Sequence, residues 1–340
     1  MTKEQDKPWV ESETNPDPHF LESCTRSANS ILRLCEKRGS TYRLDELPIA
    51  ERSQGYLREV PVKWANIVVS QFGDFETRRD ETGAPQVGRG LLDEISGVLP
   101  EDVITPLTRD HTNNVNVVRD RSDLLYSKER GANSVASENG HPLNQDGVIL
   151  IRSEETQGLV IEIPDADCVK IVGAAKLKNG TDVLFGAHCG FRGTQRGIVE
   201  NLAIKLRALE VEPGSVSVLV GYGSQNSVVP IEDLQNAANE NPHSINRDHW
   251  RNAVGGSFVD IEGDKSEKTA YSNQSDVIGR VELCFNDLLN PVDGLSVIST
   301  NTVTEPRLRS YRADSALNQR YGGTPSPKSG RNITRISFAK

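Results

Sequence analysis

The segment 165–194 constrains this chain more than any other. Two β-rich runs, 168–172 and 183–185, flank Lys178-Asn179-Gly180, a strong hairpin signal. The loop length decides which side chains meet. If Asn179-Gly180 alone forms a two-residue loop, Cys168 opposes Phe191 and His188 points to the other face. If Lys178-Asn179-Gly180 forms a three-residue loop with Gly180 left-handed, Cys168 opposes Gly190. His188 then lies two residues away on the same face, because side chains alternate with period two. That diagonal is about 7–8 Å between α-carbons, so the two side chains can share a metal or form a thiol–imidazole pair. We adopt the three-residue loop. Beyond His188 the chain reads Cys-Gly-Phe-Arg-Gly-Thr and enters a helix, with Thr194 as the expected N-cap. Gly190 and Gly193 let the backbone approach a ligand. Arg192 beside a helix start is suited to an anion such as phosphate.

Around this segment the texture is that of an α+β domain. Strands are expected at 65–70, 115–118, 147–151, 158–163, 216–220 and 333–338. Helices fit 90–98, 194–209 and 230–238, the second with Ile198, Leu202, Leu206 and Leu209 as its buried stripe. Many strands with few helices argue against a strict βαβ repeat. The polar stretches 122–144, 239–276 and 322–330 read as long loops. Residues 1–18 read as a disordered tail. Phe20, Cys24, Ala28, Ile31 and Cys35 mark one amphipathic helix that stops at Gly39, and 40–60 reads as a connector. The expected division is an N-terminal extension, 1–59, and a main domain, 60–340.

Composition removes several functional classes. No apolar run is long enough to cross a membrane, and the first residues lack the apolar core of a secretory signal. A net charge of −9, from 39 basic and 48 acidic residues, argues against nucleic-acid binding. Five cysteines in 340 residues are too few for a disulfide scaffold and fit a reducing cytoplasm. Six histidines and one methionine leave too few ligands for a multi-copper electron-transfer site.

Ala-Asp-Cys168 followed some twenty residues later by His188-x-Gly-aromatic-Arg-Gly-Thr resembles the laccase-domain family, also described as multi-copper polyphenol oxidoreductases, purine nucleoside phosphorylases or peptidoglycan editing factors. The family's upstream Gln-x-His-Gly resembles Arg109-Asp-His111-Thr112, and its Ala-Asp-Gly strand start resembles Gln145-Asp146-Gly147. Its early Thr-Thr-Arg resembles Glu76-Thr77-Arg78. Its closing Ser-Tyr-Arg-Arg-Asp and Gly-Arg strand resemble Ser310-Tyr-Arg312-Ala313-Asp314 and the run from Gly330 to Ser337. In order, these cover roughly residues 60 to 340.

The resemblance implies mixed β-sheets packed centrally with helices outside, an α/β/β/α-like arrangement similar to the catalytic fold of the cytotoxic necrotizing factors. It implies a metal, zinc with copper as a substitute in vitro, held by His111, Cys168 and His188. Three protein ligands with a fourth position open is how a catalytic zinc is built. It implies action on nucleosides, either phosphorolysis with phosphate at Arg192 or deamination. Asp146, Asp167, Arg78 and Arg312 are candidates for orienting ligands or holding an anion. The departures are Arg109, Thr112, Lys170, Cys189, Phe191 and Ala313, which touch substrate choice and spare the three ligands. Cys189 as a neighbour of His188 on one strand points to the opposite face.

Two competing readings stand beside this one. Without a metal, Cys168 is a thiolate nucleophile with His188 as its base, giving a cysteine hydrolase or deamidase. Alternatively the chain is an inactive interaction protein whose N-terminal helix meets an unidentified protein partner. His141, His243 and His249 lie in polar stretches and read as solvated loop residues.

Overall fold

A computed structural model of the chain describes residues 41–51, 57–70, 77–79, 85–87, 97–106, 111–128, 131–165, 167–224, 227–243, 248–259, 267–300 and 332–339. Among these residues two seven-stranded mixed sheets lie face to face. The first runs, in spatial order, Thr41–Tyr42, Leu295–Ile298, Ser217–Val220, Val169–Lys176, Asp182–Cys189, Gly147–Ile151 and Val115–Val118. The second runs Leu57–Val60, Ala65–Ser70, Asn332–Phe338, Val160–Asp165, Val103–Ile104, Ala132–Val135 and Leu124–Ser127. The α+β class and the central pair of mixed sheets are those expected.

Alternation along the strands of the first sheet creates two hydrophobic layers. Ile171, Phe185, Val218 and Val297 turn outward, against helices α2 (Ile198–Ala208) and α4 (Asn273–Cys284). Val172, Leu184, Leu219 and Ile298 turn inward and meet Ile67, Ile104, Ile161, Ile163 and Ile336 of the second sheet. The sheets come close at Gly186, where a β-carbon would lie 2.8 Å from the Ile163 side chain.

The central hairpin has the three-residue loop. Its ladder runs from Val169 opposite Cys189 to Lys176 opposite Asp182. Leu177 then bonds Thr181, and Lys178-Asn179-Gly180 makes the turn with Gly180 at φ 86°. Continued one step past Val169, this register sets Cys168 opposite Gly190.

Several sequence-based expectations give way where tertiary contacts outweigh local pattern. The stretch 40–60 is no connector. Thr41–Tyr42 pairs with Leu295–Ile298 and Leu57–Val60 pairs with Ala65–Ser70, while Leu44, Leu47 and Leu57 are buried, so the folded unit begins before residue 60. The loop expected at 122–144 contains the antiparallel pair Leu124–Ser127 and Ala132–Val135. The helix expected at 194–209 begins earlier and is broken. Gly197 at φ 94° separates α1 (Phe191–Gln195) from α2. Ile198, Leu202 and Leu206 are fully buried as expected, and Leu209, the C-cap, is partly buried against the same core. The third helix, α3 (Ile231–Asn239), follows Pro230 as anticipated.

The largest miss lies within 239–276. That stretch holds Val254–Val259 and Glu267–Tyr271, which form a three-stranded sheet with Ser227–Pro230, and it leads into α4. Helix α4 is nearly invisible to hydropathy because its buried face is polar: Asn273, Gln274, Ser275, Asp276 and Arg280 are all buried. Arg280 bonds Asp276 at 2.9 Å, the Glu200 carboxylate of α2, and the Gln195 side chain at 3.1 Å. Although burial alone would raise it, Arg280 and then His249 hold the Asp276 carboxyl well below the usual carboxylate range.

The expected tail, N-terminal helix and 322–330 loop lie outside the described residues, as does most of the 90–98 helix. No described helix is long and apolar enough to cross a membrane. Cys168 and Cys189 are free thiols. Arg280→Leu leaves Asp276 and Glu200 buried without their cation, and should cost about 3–5 kcal/mol in urea unfolding.

Candidate metal centre

The site forms at one end of the first sheet, where three chain segments meet. Cys168 immediately precedes the first strand of the hairpin and His188 is the penultimate residue of the second. Strand Gly147–Ile151 lies between the hairpin and Val115–Val118, with Gly147 opposite both Ala187 and Val115. The segment before Val115 therefore ends beside His188, and it carries His111. The donor atoms of His111, Cys168 and His188 all lie within 4.8 Å of one another. Among the described residues this is the one cluster of three such donors. The two imidazole rings stack, with centroids 5.3 Å apart.

Asp146 organises the cluster. It precedes Gly147 and is fully buried. One carboxylate oxygen accepts from His188 Nδ1 at 3.0 Å, while the other accepts from the Thr112 hydroxyl at 2.9 Å and from the Thr112 backbone N–H. An ionised carboxylate only accepts, so His188 carries its hydrogen on Nδ1 and leaves Nε2 for a ligand. Thr112, read from sequence only as a departure, is what ties the His111 segment to the same carboxylate.

The residues fit a metal on three counts. His111 Nδ1 is buried with no hydrogen-bond partner. Gly190 leaves open the space a side chain would fill: a β-carbon there would lie 2.5 Å from His111 Nδ1 and 3.1 Å from the Cys168 sulfur. The donor set, two imidazoles and one thiolate, is one that zinc and copper both accept.

His111 is held in an uncommon backbone conformation, φ 47°. Contacts from the α1–α2 junction secure it. Arg196 donates to the His111 carbonyl at 3.0 Å and is itself gripped by Glu240 at 2.6 Å. Asn113 donates to the Arg196 carbonyl and Asn201 to the Asn113 carbonyl, each at 2.8 Å. On the other flank, Asn273 donates to the Cys189 carbonyl at 2.7 Å. No sequence signal pointed to Arg196, Asn201 or Asn273, because each acts across 80 or more residues.

The remaining candidates separate. Gly190 is the N-cap of α1, and Thr194, expected there, is buried inside the helix with its hydroxyl on the Cys189 carbonyl at 3.3 Å. Arg192 is half exposed and pairs with Asp233 of α3 at 3.2 Å. Asp167 is buried beside Cys168, and its carbonyl accepts from Ser224 N–H at 2.9 Å. Arg78 lies on the strand Thr77–Arg79, and Arg312 falls outside the described residues. Cys189 is fully buried in the hydrophobic layer facing the helices, on the opposite face from the site. His141 is exposed, but two histidines read as solvated are bound: His249 pairs with Asp276 at 2.8 Å and His243 with Asn201 at 2.7 Å.

The sequence profile of the multi-copper polyphenol oxidoreductase laccase family matches residues 76–261. The chain belongs to this family. All three donors and Asp146 fall within the matched span. Three solved structures have a similar fold. The hypothetical protein YfiH of Bacillus licheniformis is 16% identical with a TM-score of 0.53, covering 81% of this chain and 92% of its own. YlmD of Geobacillus stearothermophilus is 16% identical at 0.54, with coverages of 84% and 99%. A Neisseria meningitidis protein is 14% identical at 0.52, with 84% and 100%. No curated protein matches the chain.

Burial, and then the neighbouring His188, push His111 down to about 4. At His188 burial acts in the same sense, but the Cys168 sulfur and the Asp146 carboxylate outweigh it and raise the imidazole to about 9. In the metal-free protein, His111 therefore lowers stability as pH falls from about 6.5 towards 4, because the unfolded chain binds its proton first. His188 contributes stability that is full below about 6.5 and lost as pH rises through 9. These two groups together should place a stability maximum near pH 6.5, and urea midpoints of metal-free protein at pH 5, 6.5 and 9 check it. Gly190→Ala should displace His111 and weaken zinc binding roughly 10–100-fold, measured by competition with a chromophoric chelator.

Proposed function

We propose that the chain is a mononuclear metal enzyme, with zinc held by His111, Cys168 and His188, that acts on purine nucleosides by phosphorolysis, deamination or both. The observation that carries the metal is the convergence of three donors around the buried, partnerless His111 Nδ1. The nucleoside class comes from the family resemblance. The family name speaks of several coppers, but one three-donor cluster among the described residues and six histidines in the chain favour a single ion.

Held by His111, Cys168 and His188, a zinc ion would supply Lewis acidity at this point. The chain's own residues do the rest. Asp146 fixes the ring of His188 and presents its Nε2, and Arg196 keeps His111 turned inward against its backbone preference. Gly190 keeps the space between His111 and Cys168 clear. Arg192 supplies the positive charge for a phosphate and must share it with Asp233.

A second reading has an observation of its own. Asp146, His188 and Cys168 stand in the order of a carboxylate–imidazole–thiol triad, with the carboxylate on Nδ1 and the Cys168 sulfur hydrogen-bonded to the same imidazole. In a metal-free protein this arrangement suits a cysteine hydrolase, although it gives His111 no part.

Purified protein should contain stoichiometric zinc and convert adenosine. Resolving adenine, inosine and hypoxanthine with and without phosphate separates phosphorolysis from deamination. Arg192→Ala should cost on the order of 10²-fold in phosphorolysis and little in deamination. Protein that purifies without zinc, and that turns over no nucleoside after zinc is added, would favour the thiol reading.

A further inference from the structure

Lys170 is an unusual residue to find in the core of this protein. It is the second residue of Val169–Lys176, lies opposite His188 in the ladder, and is fully buried. Its side chain leaves the first sheet on the inward face, in line with Val172, and reaches across to the second sheet. There its ammonium end meets the Asp165 carboxylate, also fully buried, at the end of Val160–Asp165. The Tyr222 ring lies 3.7 Å from Lys170 Nζ, and the Tyr222 hydroxyl is 3.3 Å from Ser70 Oγ of the second sheet. Space for the lysine stem depends on Gly221, where a β-carbon would lie 2.8 Å from Lys170 Cγ.

Such a pair adds little net stability, since well-packed apolar residues of similar volume do as well or better. What it supplies is location. Asp165 and Lys170 are the two ends of the short crossing by which the chain passes from the second sheet to the first, and Cys168 lies on that crossing. Whether the pair exists as ammonium and carboxylate or as amine and acid, each member is the other's hydrogen-bonding partner, so the ends of the crossing are stapled together. His188, the residue Cys168 must meet, sits directly across the ladder from the same lysine.

We propose that Lys170 and Asp165 are positioning residues: the buried pair sets the Cys168 crossing so that the sulfur faces His111 and His188. As a statement about zinc this rests on the metal reading above; as a statement about the thiol it does not.

The test replaces the pair by apolar residues, Lys170→Met with Asp165→Leu, and separately makes the near-isosteric Asp165→Asn. Two quantities are read: zinc affinity by chelator competition, and the rate at which iodoacetamide alkylates Cys168 in metal-free protein, followed by peptide mass spectrometry. The double variant should keep its circular dichroism and unfolding midpoint, bind zinc roughly 10–100-fold more weakly, and alkylate at a rate several-fold different from the native chain. A folded double variant with both quantities within about twofold of native values overturns the proposal. If the double variant does not fold, Asp165→Asn decides: weaker zinc binding or an altered alkylation rate supports the proposal, and native values for both overturn it. If the native chain binds no zinc, the metal reading fails, and the alkylation rates alone decide this one in the same way.

Discussion

The Asp146 carboxylate is the interaction on which the site depends. Its two oxygens are divided between His188 on the central hairpin and Thr112 beside His111. His188 lies on a strand and His111 on the segment that leads into another, and Gly147–Ile151 separates those two strands in the sheet. A buried carboxylate between them satisfies its own lone pairs, orients one imidazole and anchors the backbone of the other. Without it the sheet would still bring the segments to the same end, but the His188 ring would lose its orienting partner and the His111 segment its tie through Thr112.

The supports around that carboxylate come from every layer of the fold. Helices α1 and α2 hold His111 through Arg196 and Asn201, and α4 holds the strand end after His188 through Asn273. The second sheet reaches Cys168 through Asp165. The Arg196 contact falls on the His111 backbone and those of Asn201 and Asn273 on the backbone of nearby residues, so none of the three occupies a ligand atom. This is the division of labour expected where donors must be rigid before anything binds.

Hydrophobic period and turn chemistry made the hairpin legible, and with it the meeting of Cys168 and His188. Asn179-Gly180 and the alternation of Val, Ile and Ala residues are local signals; they marked the hairpin but left two loop lengths open, of which the three-residue one forms. His111 could be assigned only through the family's motif, because nothing local says which distant histidine a sheet will bring home. Helix α4 escaped for a different reason. Its buried face carries Asp276, Arg280 and Gln274, whose partners lie on other elements, so the apolar stripe that marks a helix is missing. Thr41–Tyr42 and Leu57–Val60 escaped because short edge strands owe their form to the neighbours they pair with.

The turn at Lys178-Asn179-Gly180 lies at the far end of the hairpin from the site, yet it governs the parity of every residue back to Cys168. A hairpin of this kind works as a ruler read at one end and set at the other. Losing a single residue at the tip would favour the pairing that turns His188 to the opposite face, and set the turn against a ladder pinned on both sides by neighbouring strands. The chemistry at the base of this sheet thus constrains the length of an exposed loop that never touches it, a constraint that distance from the site would not reveal.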